Sequence, residues 1–95
     1  MGRTYWVQSA AKHGVAREDV MHVVDRPELV IRDFDPPRPP STGRVDLYVG
    51  HTADGTLLEV LLDVDAVAER VTVFHAMPLR RSIAERAIRM ARERQ

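Results

Sequence analysis

The patterning of this chain predicts an α+β domain in the order α-α-β-β-β-β-α: two N-terminal helices, a four-stranded antiparallel meander and a C-terminal helix. Three observations carry that expectation. Short runs of β-branched and aliphatic residues recur between positions 28 and 76, on the length scale of strands rather than helices. Asp54-Gly55 stands between two of those runs and is a strong hairpin signal. After Pro78 the period lengthens to that of a helix, with Leu79, Ile83, Ala87, Ile88 and Ala91 on one stripe and Arg80, Arg81, Glu85, Arg89 and Arg92 off it. A sheet with its helices on one face is the two-layer solution expected of that order.

In chain order, TYWVQSAAKH (4–13) reads as a short helix, with Trp6, Ala10 and His13 on one side, Thr4 as N-cap and Gly14 as stop. A second helix is expected over 16–25. Glu18 and Asp19 sit in its first turn, where negative charge is favoured, and Val20, Val23 and Val24 form its inner face. Pro27 forbids continuation. ELVIRDF (28–34) is a first strand, and DPPRPPSTG (35–43) is a stiff extended loop that could also serve as a proline-rich ligand. Arg44–Thr52 alternates, with Val45, Leu47 and Val49 inward. TLLEVLLD (56–63) is nearly continuously apolar, hence a central strand. Residues 64–70 close a hairpin into the last strand, 71–76, where Val71, Val73 and His75 should share a face. Pro78 suits the first position of the final helix.

Composition narrows the class of protein. Ninety-five residues, 44% hydrophobic and 29% charged, make one domain spanning 1–95 with a modest core. No apolar run approaches the ~20 residues of a membrane span, so no membrane association and a cytoplasmic location are expected. The absence of cysteine excludes disulfides, thiolate metal sites and cysteine nucleophiles. Formal charge is zero, but residues 77–95 carry six Arg against two Glu, leaving the remainder acidic. A local anion-facing surface fits that asymmetry better than a uniformly basic nucleic-acid binder.

The chemistry-bearing residues cluster near the junction of the last strand and last helix. His75 ends the strand pattern, Arg80 and Arg81 open the helix, and first-turn N–H groups favour an anion there. Each of the three candidate histidines also has a plain structural role open to it. His75 could be a hydrogen-bonded core residue, His13 could cap a helix C-terminus, and His51 could be a simple surface residue before a turn. No histidine pair has metal-ligand spacing, so neither a metal nor another cofactor is expected.

The segment KHGVAREDVMHVVDRPE (12–28), above all Lys12-His13-Gly14-Val15, resembles the opening of BrnT-type toxins, small ribonucleases with a RelE-like fold. The later pieces occur in the family's order: LYVG (47–50), a DG hairpin, an apolar strand, and a strand ending at a small residue before a helix. Two departures stand out. Met77 falls where the family carries an arginine, and the last helix is arginine-rich rather than glutamate-rich. The resemblance implies the toxin of a type II toxin–antitoxin system, a metal-independent endoribonuclease neutralised by an adjacently encoded DNA-binding antitoxin. Cutting RNA without a metal needs a base, a cation for the transition state and an acid. On that implication His75, Arg80, Arg81, His13 and His51 are the catalytic candidates, and Lys12, Arg80, Arg81 and Arg89 the RNA-binding ones. The alternative is a non-catalytic protein-binding module of the same fold. Meander edges need protection, which a homodimer or a toxin–antitoxin hetero-oligomer would supply.

Overall fold

TLLEVLLDVD is the most continuously apolar stretch of the chain, as a strand covered on both faces must be. The computed structural model describes residues 3–7 and 13–95, and this stretch forms the middle strand of its sheet. The elements are β1 (Arg3–Trp6), α1 (Arg17–Asp25), β2 (Leu29–Asp35), β3 (Arg44–His51), β4 (Leu57–Asp65), β5 (Arg70–Pro78) and α2 (Arg81–Glu93). The strands lie in the order β1-β5-β4-β3-β2. β2 to β5 form the expected antiparallel meander, while β1 adds to β5 in parallel, so the sheet is five-stranded and mixed.

Alternation along β4 divides the core in two. Leu58, Val60 and Leu62 pack with Val20 and Val23 of α1 and with Val73 and Ala76 of β5. Leu57 and Leu61 turn the other way, joining Ile31, Phe34, Leu47 and Val49 under Ile83, Ala87 and Met90 of α2. The two helices therefore cover opposite faces of the sheet, not one face as expected. α1 has no side-chain N-cap and three valines of modest helix propensity. Burying Val20 and Val23, each worth about 1.5 kcal/mol or more, holds it in place.

The expected order α-α-β-β-β-β-α is corrected at its first element. Residues 3–6 form a strand with Thr4 opposite Val71 and Trp6 opposite Val73; residues 8–12 of the expected helix lie outside the described residues. Thr-Tyr-Trp-Val is β-branched and aromatic, and the open edge of β5 offers it ladder bonds, whereas a helix of about ten residues is marginal by itself. Pro78 is likewise the last residue of β5 rather than the first of the helix, and α2 begins three residues later with Arg80 as N-cap. No helix among the described residues is long and apolar enough to cross a membrane.

Arginines of α2 and of its C-cap meet the outer strand β2. Arg86 donates to the Phe34 carbonyl and the Asp35 carboxylate, and Arg94 to the carbonyls of Arg32 and Asp33. These carbonyls lie where β2 loses register with β3 and Asp33 adopts a φ of 57°, its N–H bonding the buried Asp46 carboxylate at 3.0 Å. Two of the six arginines thus bond carbonyls of the edge strand β2.

The loop between β2 and β3 folds back over the sheet. Ser41 Oγ donates to Asp63 Oδ1 at 2.9 Å and accepts from the Gly43 N–H at 3.0 Å. A Cβ at Gly43 would stand 2.4 Å from the Val64 carbonyl oxygen and 2.7 Å from Asp63 Oδ1. Gly43→Ala is therefore expected to cost about 2 kcal/mol of stability by overpacking, read as a lower urea midpoint at unchanged slope.

Candidate functional site

The site begins with a β-bulge. Leu61 pairs with His75 but Leu62 pairs with Val73, leaving Phe74 as an extra residue in β5. Without it, His75 would share the face of Val71 and Val73, as the period-2 reading expects. With it, Val73 stays in the α1-side core and His75 moves to the α2 side. There it meets Glu59, the one charged residue in the apolar middle of β4.

Glu59 is fully buried. His75 Nε2 lies 2.8 Å from its Oε2. Arg80 approaches from the start of α2: its backbone N–H reaches Oε1 at 2.9 Å, Nε bridges both oxygens at 3.1 and 3.2 Å, and Nη2 reaches Oε2 at 2.7 Å. A buried carboxylate is tolerated only when its charge and lone pairs are met, and here both oxygens are engaged. Burial pushes the Glu59 carboxyl up. The side-chain and backbone hydrogen bonds of Arg80 and the bond from His75 outweigh that push and hold it below the usual carboxylate value.

The ionised carboxylate can only accept, so Nε2 of His75 carries a proton and the neutral ring keeps its basic lone pair on Nδ1. His13 lies edge-on to that ring, with centroids 5.6 Å apart and planes at 75°. One imidazole is therefore oriented by a carboxylate and has a second, exposed imidazole beside it. This is the composition of an acid–base pair. His13 also borders a cavity of about 280 Å³, but Asp19 and Asp54 line it too and disfavour a phosphate there.

The other candidates separate. His51 ends β3, where its backbone N–H and ring bond Glu28 and hold that carboxyl below its usual value. Its partner on β4 is Leu57, against Leu61 for His75, so strand spacing keeps these histidines more than about 10 Å apart. Arg81 is exposed at the start of α2, next to the cluster, with no ion pair among the described residues. Arg89 lies on the outer face of α2 beside the half-exposed Ile88. Lys12 lies outside the described residues. Among the described residues, no group of three or more acidic or histidine side chains is placed to hold a metal ion.

The sequence reading missed Glu59. A charge flanked by apolar residues on both sides, within a run expected to be buried on both faces, was the available signal, since such a group needs a partner. In comparisons with known proteins, no family model and no curated protein matches the chain.

Glu59 also links stability to pH. Its folded-state pKa is depressed, so its contribution is complete above the ordinary glutamate value of about 4.3 and is lost as pH falls through the folded value. Glu59→Gln is expected to cost about 2 kcal/mol at pH 7, with the gap to wild type narrowing in urea titrations as pH falls below 4.3.

Proposed function

We propose that this chain is a metal-independent endoribonuclease, the toxin of a type II toxin–antitoxin module acting in the cytoplasm and neutralised by an adjacently encoded DNA-binding antitoxin. The observation that carries the reading is the Glu59–His75 pair with the His13 ring beside it. In the proposed reaction, Nδ1 of His75 takes the 2′-hydroxyl proton and the 2′-oxygen attacks the adjacent phosphorus. His13 gives its proton to the departing 5′-oxygen, which leaves a 2′,3′-cyclic phosphate and a 5′-hydroxyl. Arg81, exposed and next in sequence to Arg80, has no ion pair among the described residues and takes the phosphate charge. Arg80 acts through Glu59 instead, because its Nε and Nη2 are already bonded to that carboxylate. The resemblance of residues 12–28 to BrnT-type toxins supports the same class.

One observation favours a second reading. With Arg80 fastened to Glu59, the cluster also serves as a clamp between α2 and β4, and Ile88, 49% exposed on the outer face of α2, suits a docking surface. The two readings part in a simple assay. Purified chain is incubated with RNA in the presence of chelator, beside His75→Ala and His13→Ala. The nuclease reading expects cleavage by wild type and a loss of about a hundredfold or more in each variant. Undiminished cleavage in the variants would remove the histidines from the mechanism. An inert wild type would leave the non-catalytic module.

A further inference from the structure

Beyond His75, on the same side of the sheet, β4 and β5 continue under the β2–β3 loop. Asp63 and Thr72 are register partners there, so both face the side that carries Glu59 and His75. Between this pair and the loop lies a cavity of about 430 Å³, lined by Arg38, Pro40, Ser41, Asp63, Asp65 and Thr72 among others. Its volume falls in the range of small-molecule sites. Across the bulge, the register partners of Thr72 and His75 are Asp63 and Leu61, two residues apart on β4 and about 7 Å at strand rise, so the hollow lies within one dinucleotide's reach of the imidazole.

The chemistry of the hollow is set by Asp63. The residue is 9% exposed, its Oδ1 accepts one hydroxyl bond from Ser41, and no Lys, Arg or His pairs with it among the described residues. An ionised carboxylate has several acceptor sites, so this one has capacity for further donors. At the rim, the Arg38 guanidinium sits 3.8 Å over the Phe74 ring. A guanidinium held over an aromatic ring is a surface on which a base can stack.

We propose that this hollow is a guanine-binding subsite; its place on an RNA substrate rests on the nuclease reading above. Among the four RNA bases, only guanine presents two adjacent donors, N1–H and the N2 amine, on its Watson–Crick edge. They match a carboxylate as the fork of an arginine does. Adenine and cytosine offer a ring-nitrogen acceptor beside their amine, and uracil flanks its single N–H with two carbonyls. Each of those sets an acceptor against the Asp63 oxygens. The ribose and phosphate would extend toward Arg38 and Arg70, the cations lining the hollow.

The test is a titration of the purified chain with 5′-GMP, 5′-AMP, 5′-CMP, 5′-UMP, 5′-IMP and arginine amide, followed by calorimetry. GMP is expected to bind about tenfold or more tighter than AMP, CMP or UMP, with IMP, which lacks the N2 amine, in between. Asp63→Asn is expected to remove the GMP preference. Because that change also touches the Ser41 bond, the IMP arm probes the same contact on unaltered Asp63. Equal binding of all nucleotides, no binding of GMP, or binding of arginine amide alone overturns the subsite. The fate of the nuclease reading is separate. RNA cleavage without a guanosine preference sinks the subsite and leaves the nuclease, whereas selective GMP binding by a chain that cuts no RNA does the reverse.

Discussion

A carboxylate enclosed in the middle strand of a small sheet sets the terms for everything around it. Glu59 stands where the pattern of β4 calls for an aliphatic residue, with Val49 and Met77 as its cross-strand neighbours. Removing such a charge from water costs several kcal/mol unless partners restore what the water supplied. Arg80 and His75 are those partners, and meeting them fixes two other features. The chain must enter α2 close enough for the Arg80 N–H and guanidinium to reach β4. The ring of His75 must turn its Nε2 inward.

The start of α2 shows the same economy. Its first turn carries no acidic residue and opens with Arg81 directly after the N-cap Arg80, which is unfavourable against the positive end of the helix dipole. Glu59 supplies the missing negative charge from a neighbouring strand, accepting the N–H of the N-cap residue itself. Toward the other end of the helix, Arg86 and Arg94 serve the edge of β2. The charge asymmetry of the sequence is therefore only partly an anion-facing surface. Arg80, Arg86 and Arg94 hold the fold together, while Arg81, Arg89 and Arg92 remain exposed.

The bulge at Phe74 links fold to chemistry. One extra residue in β5 reverses the facing of everything beyond it, so the α1-side core keeps Val71 and Val73 while the histidine crosses to the carboxylate. The same residue gives Arg38 a ring to rest on and so helps seat the β2–β3 loop. Acid–base cluster and neighbouring hollow are thus organised from a single irregularity in one strand.

Much of the architecture could be read before any coordinates. α1, the antiparallel run from β2 to β5 and the central place of β4 follow from local period, turn residues and proline, which act within a few positions. The fate of residues 3–6 did not, because four β-prone residues pair only if an edge is waiting, and that edge belongs to a strand about 70 positions away in sequence. The placing of helices on both faces escaped for a similar reason: a strand apolar on both sides does not say which helix covers which. At the site, His75 and Arg80 were visible as residue types at an element junction, but their common partner was not. Glu59 sits 16 and 21 positions from them and meets them only through strand register and a bulge. Period and propensity are properties of neighbours along the chain; pairing of a buried charge is a property of neighbours in space.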